Sequence, residues 1–270
     1  MLQERFADDA PRPWVCLMYH DVTAERPLDV GDYFSVSDSS FTRHLDAIQE
    51  LQLRGCSITQ AIEQPGNAVA ISFDDGNVGQ AVRAFPALVA HQMTATFFVT
   101  TSWVGRPGYA SWQQLEEMKG AGMSIQSHTH SHPFLSELDA AGVREELRRA
   151  RGQLEDRLQQ RTTMLALPGG DWPRTALRHI IAEEGYEVVA TSRWGTNGPH
   201  DARMPFGLKR CTVRGNPDDA TFSAIVRGDA WLKIRKQARE HVLAFVRASL
   251  GPSRYARWRR SVLNDGQSVG

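Results

Sequence analysis

Seven short runs of apolar, β-prone residues recur along this chain: Trp14 to Tyr19, Ala68 to Phe73, Ala95 to Val99, Met123 to Ser127, Thr163 to Leu167, Glu187 to Thr191 and Leu208 to Val213. Each is nearly continuously apolar rather than alternating, which suits a strand covered on both faces. Amphipathic stretches separate them. Phe41, Leu45, Ile48 and Leu51 fall on one helical face, as do Val143, Leu147, Leu154 and Leu158. Ser111 followed by Gln114 reads as a capping box, with Gly120 and Gly122 placed to stop that helix. Pro173 near a helix start and Gly185 at its end frame another, and Pro86 is expected to kink or restart the helix between Val78 and His91. Strands alternating with helices predict an α/β fold with parallel strands, helices lying outside the sheet or barrel.

At 270 residues, with 41% hydrophobic and 23% charged residues, neither disorder nor a fibrous architecture has compositional support. Lys plus Arg equals Asp plus Glu at 31 each, which removes a global attraction to nucleic acid. Cys16, Cys56 and Cys211 are odd in number and widely spaced, so they read as buried thiols rather than a disulfide framework or zinc ribbon. The first residues lack the apolar core of a secretory signal, and no run of about 18 apolar residues occurs. The expected location is the cytoplasm, including the inner face of the membrane.

Two stretches carry chemistry. AVAISFDDGN puts Asp74 and Asp75 directly after an apolar strand, with Gly76 to permit a sharp turn. Barrel active sites collect at the C-terminal ends of strands, although Asp-Asp-Gly is also ordinary turn chemistry. SIQSHTHSHP places His128, His130 and His132 after the fourth strand, at the same end if the strands are parallel. Imidazoles with a carboxylate form a normal zinc site, and the HxxxH spacing can put two imidazoles on one face of a helical turn.

SFDDG, then ATFFV in the next strand, then SHTHSH together resemble the polysaccharide deacetylase family, also called carbohydrate esterase family four, over about Val15 to Val213. The resemblance implies a distorted (β/α)7 barrel, in agreement with the strand count. It implies Asp74 as general base, and Asp75, His128 and His132 as ligands of a divalent metal: zinc first, with cobalt, nickel or manganese as alternatives. His130 has no counterpart in the family motif. The implied reaction removes an N-acetyl group from an N-acetylated sugar, in a polysaccharide or a lipid-linked saccharide.

The match departs from the family in two places. The third motif, normally Arg-x-Pro-Tyr/Phe-Gly, is here LALPGGDWP, so the arginine that would orient Asp74 is missing. Pro168, Gly169, Gly170 and Trp172 remain as candidates for the substrate and oxyanion pocket, and Trp194, in the place of the fourth motif, for the acyl pocket. The family's late Leu-x-His is also absent. The first strand, however, ends on His20, and a closed barrel can receive its general acid from there. His200 is the competing placement.

After about Arg214 the β pattern gives way to a helical one carried by Trp231, Ile234, Ala238, Val242 and Phe245. Residues 1–214 therefore read as the barrel and 215–270 as a helical C-terminal extension, whose basic RYARWRR stretch from Arg254 to Arg260 could touch a lipid surface or an anionic sugar carrier. Competing functions are a de-N-formylase or O-deacetylase on the same scaffold, and a barrel that binds saccharide without turnover.

Overall fold

The computed structural model of the chain describes residues 13–24, 34–198, 207–229 and 254. Its strands, in chain order, are β1 (Trp14–Tyr19), β2 (Asp21–Thr23), β3 (Ser35–Ser37), β4 (Arg54–Cys56), β5 (Ala68–Phe73), β6 (Thr96–Val99), β7 (Ser124–Ser127), β8 (Met164–Ala166), β9 (Val188–Ala190), β10 (Thr196–Asn197) and β11 (Cys211–Thr212). The central order is β1-β5-β6-β7-β8-β9, every neighbour parallel. Leu208 then bridges Ala190 of β9, and β11 pairs in parallel with β1 at Leu17 and Met18. The segment from Leu208 to Thr212 thus joins the two edges of the curled sheet, so all seven apolar runs take part. β4 and β10 are short additions on β5 and β1, and β2 and β3 form a separate parallel pair.

Alternate residues face opposite sides of each strand. Trp14, Cys16, Ala70, Phe98, Ala166 and Leu208 share one buried cluster inside the curl, where the alanines leave room for the larger rings. Leu17, Tyr19, Ile71, Phe73 and Phe97 face outward and pack with Phe41, Leu45 and Ile48 of α1 (Asp38–Glu50). A third cluster lies under the long α5 (Ala140–Leu158), through Val143 and Leu147.

Between these helices lie α2 (Ile58–Glu63), α3 (Phe85–Ala90) and α4 (Trp112–Gly120), and the Ser111–Gln114 capping box closes reciprocally at the start of α4. Pro86 sits in the first turn of α3, which restarts after a π-helical turn, Gln80–Ala84. Pro173 and Gly185 do frame a helical segment, shorter and tighter than a regular α-helix. Asp171 accepts the Ser136 N–H at 2.7 Å and pins this segment, so only a 3-10 turn at Thr175–Leu177 and the short α6 (His179–Glu183) follow. Beyond β11, α7 (Asp219–Val226) is capped by Asp218 and stacks Phe222 on His44 of α1, ring centroids 4.0 Å apart. The expected long helix through Trp231 and Phe245 lies outside the described residues, as does the basic stretch apart from Arg254. No described helix is long and apolar enough to cross a membrane.

Candidate active site

The parallel strands deliver their C-terminal ends to one rim. Asp74 and Asp75 follow directly on β5, and His128 on β7. Asp75 Oδ1 stands 3.3 Å from His128 Nε2 and 3.4 Å from His132 Nε2, and the three donor atoms all lie within 4.8 Å of one another. Tetrahedral ligands bonded at about 2.0–2.1 Å sit roughly 3.3–3.4 Å apart. The donor spacing therefore fits a single divalent cation. His128 Nδ1 faces the Ala166 carbonyl at 2.9 Å, which assigns the proton to Nδ1 and leaves Nε2 as a donor to metal.

The loop between the histidines is braced on all sides. Thr129 Oγ1 accepts the His132 N–H at 3.1 Å. Glu146 of α5 accepts the N–H groups of His130 and Ser131 at 2.9 and 2.8 Å and the Ser131 hydroxyl at 2.6 Å. Trp103 stacks on the His132 ring, centroids 4.9 Å apart. Asp75, Thr129 and His132 hold φ of +77°, +65° and +63°, a strained backbone that such bracing maintains. His130 faces away, its Nδ1 2.8 Å from Thr101 Oγ1, and is not among the converging donors.

Asp74 is buried and gripped. Arg210 Nη1 and Nη2 donate to its two oxygens at 2.6 and 2.8 Å, while Arg210 Nε donates to the Thr191 carbonyl at 2.9 Å. Burial alone would raise the Asp74 pKa; the Arg210 guanidinium and the His128 ring outweigh it and hold the carboxyl below its usual range. Burial is likewise overcome at Asp75 by the His128 and His132 rings beside it, leaving its carboxyl well below that range. Arg210 supplies from the last strand the arginine that the third motif lacks. The sequence held one signal for it, a charged residue two positions after Leu208 and so on the same inward face.

His20 lies at the end of β1, close enough for its pKa to respond to Asp75 and Asp74. Burial lowers that pKa and the two carboxylates partly restore it. Its Nδ1 is buried with no hydrogen-bond partner among the described residues, and its ring packs on Phe34 at 4.7 Å. His200, its competitor, lies outside the described residues.

Two residues after the carbonyl that holds His128, Pro168–Gly170 form a tight turn. Gly169 and Gly170 have φ of +58° and +65°, and a Cβ would meet Phe134 at 2.8 Å and Ser192 Oγ at 2.0 Å respectively. The Gly170 N–H donates to the Leu167 carbonyl at 2.8 Å and so stabilises the turn. Trp172 packs under Arg178 and against the third core cluster. Trp194, in the loop after β9, is buried and groups with the core cluster that holds Leu17 and Tyr19.

A parallel β/α ring thus gathers at its rim a carboxylate and two imidazoles at metal-ligand spacing, beside an arginine-held second carboxylate. The family model described as polysaccharide deacetylase matches residues 61–189. Bacillus subtilis (strain 168) YxkH, whose own name assigns it to the polysaccharide deacetylases only provisionally, is 26% identical over 225 residues, covering 81% of this chain and 77% of that protein. The poly-beta-1,6-N-acetyl-D-glucosamine N-deacetylase of Escherichia coli (strain K12) is 27% identical over 170 residues, 52% of this chain and 25% of its own length. Among solved structures, Streptococcus pyogenes deacetylase PplD in complex with acetate superposes with TM-score 0.72 at 23% identity, covering 80% of this chain and 99% of that one. IcaB from Ammonifex degensii superposes with TM-score 0.65 at 25% identity, covering 83% and 96%. The family model, the curated relatives and the solved structures thus agree in making the chain similar to polysaccharide deacetylases.

Proposed function

We propose that the protein removes the acetyl group from an N-acetylated hexosamine unit of a saccharide, with Asp75, His128 and His132 holding a divalent cation, zinc first. The observation that carries this reading is the Asp75–His128–His132 spacing beside the Arg210-held Asp74. The Escherichia coli relative, named for N-deacetylation of poly-N-acetylglucosamine, supports the choice of substrate class.

The cation, when bound, polarises the acyl oxygen and makes water a stronger acid. Asp74 accepts the proton of the attacking water; locked in one orientation and kept ionised, it suits a base. As the water oxygen bonds to the carbonyl carbon and the C–N bond breaks, His20 gives its proton to the departing nitrogen, and acetate and a free amine result. The two carboxylates beside His20 favour the protonated ring that this step requires, against the burial that opposes it.

The test is acetate release from β-1,6-linked N-acetylglucosamine oligomers by zinc-loaded protein. Asp74→Asn is expected to bind zinc as tightly as wild type and to lose roughly 10²–10⁴-fold in turnover. No acetate from wild-type, zinc-loaded protein on these oligomers or on smaller N-acetylated sugars would remove the substrate class. Release from O-acetyl esters alone would favour the O-deacetylase reading.

A further inference from the structure

The ladder between β1 and β5 stops where Asp74 N–H donates to the Tyr19 carbonyl at 3.0 Å, and the turn at Gly76 then leads the chain away. The next two carbonyls, of His20 and Asp74, lie past that last rung, and enclosed carbonyls need partners. One side chain serves both. Gln80 Nε2 donates to His20 O at 2.6 Å and to Asp74 O at 2.5 Å, and Asn77 Nδ2 adds a longer bond to His20 O at 3.4 Å. Both partners are acceptors, so only the amide nitrogen can face them.

Gln80 is buried at 2% exposure and opens the π-helical turn, a widened coil found preferentially at functional sites. Gly79 before it lets the turn start hard against β2: a Cβ there would lie 2.2 Å from both Asp21 Oδ1 and the Val22 carbonyl. That close approach brings one glutamine within reach of two strand ends.

We propose that Gln80 is a positioning residue that sets the separation of His20 and Asp74 by holding the main chain of both on a single amide. The inference rests on the deacetylase reading above. The two residues depend on Gln80 unequally. The Asp74 carboxylate has its own anchor in Arg210, whereas the His20 Nδ1 has no hydrogen-bond partner among the described residues. Loss of Gln80 therefore displaces the acid more than the base.

Leaving-group dependence reads this out. An amide nitrogen must be protonated as it departs, while the phenolate of an activated aryl acetate departs without a proton. In the full-length, zinc-loaded protein, Gln80→Met keeps length and helical preference but removes the donor. Its kcat on N-acetylglucosamine oligomers is expected to fall roughly 10- to 100-fold, with KM and zinc affinity within about twofold of wild type. The fall on the amide is expected to exceed that on p-nitrophenyl acetate by at least about tenfold, and His20→Ala to share that pattern. Equal losses on both substrates, or wild-type amide turnover in Gln80→Met, overturn the proposal while leaving the deacetylase reading standing. If the wild type releases no acetate, the deacetylase reading fails and this inference with it; if His20→Ala and Asp74→Asn keep full amide turnover, the acid and base roles fail and this inference with them. Gly79→Ala, which pushes the same turn off β2, carries the identical comparison should Gln80→Met fail to fold.

Discussion

Asp74 and Arg210 are taken out of water together, and such a pair is strong only while both members are present. Arg210→Ala leaves an unpaired buried carboxylate and is expected to destabilise the fold by about 3–5 kcal/mol, measured by urea unfolding. Arg210→Lys keeps the charge but not the two-pronged grip. It is expected to retain zinc binding and lose roughly tenfold or more in turnover, because a point charge does not fix the carboxylate plane. Turnover equal to wild type would mean that Asp74 needs no orientation. At this scale the sequence was uneven. The convergence of Asp75, His128 and His132 was legible because groups at neighbouring strand ends keep motif spacing. Arg210 was not, since a guanidinium meets its partner here across 136 positions of chain.

At the scale of elements, α5 reaches the rim through one side chain. Glu146 accepts three hydrogen bonds from the loop between His128 and His132, so Glu146→Ala is expected to weaken zinc binding about 10–100-fold in a chelator competition, with Glu146→Gln intermediate. Unchanged affinity would show that the loop holds its shape unaided.

α1 and α7 meet at His44, whose ring is buried against Phe222 and lies 3.2 Å from the Tyr19 hydroxyl. Burial, with help from Arg43, lowers its pKa from 6.5 to about 3. Between those values the unfolded chain binds a proton that the folded one refuses. Stability is therefore undiminished above pH 6.5 and is lost as pH falls toward 3, at about 1.4 kcal/mol per pH unit from this group. Chemical unfolding between pH 6 and pH 4 is expected to show a steeper loss in wild type than in His44→Phe; parallel slopes would contradict it. The helices α1, α4 and α5 were readable from their apolar faces and caps. The segment framed by Pro173 and Gly185 is helical but short, a 3-10 turn running into α6. β2, β3, β4 and β10 are two or three residues long and leave no periodicity to read.

For the whole molecule, the seven apolar runs predict the ring because strands buried on both faces have few arrangements other than a parallel sheet under helices. Closure through Leu208 and β11 has a functional consequence: it brings Arg210 beside Asp74 and sets the first and last strands next to each other at the rim. The acid can then come from β1, whose end lies beside the base on β5. Gln80, which ties those ends, could not be read from sequence, because its reach depends on a π-helical turn seated against β2. All of this converges on one cation site. Crystals of zinc-loaded protein, measured on both sides of the zinc absorption edge, are expected to show one strong anomalous peak within bonding distance of an Asp75 carboxylate oxygen, His128 Nε2 and His132 Nε2. A peak elsewhere, or none at these three atoms with zinc in excess, would contradict it.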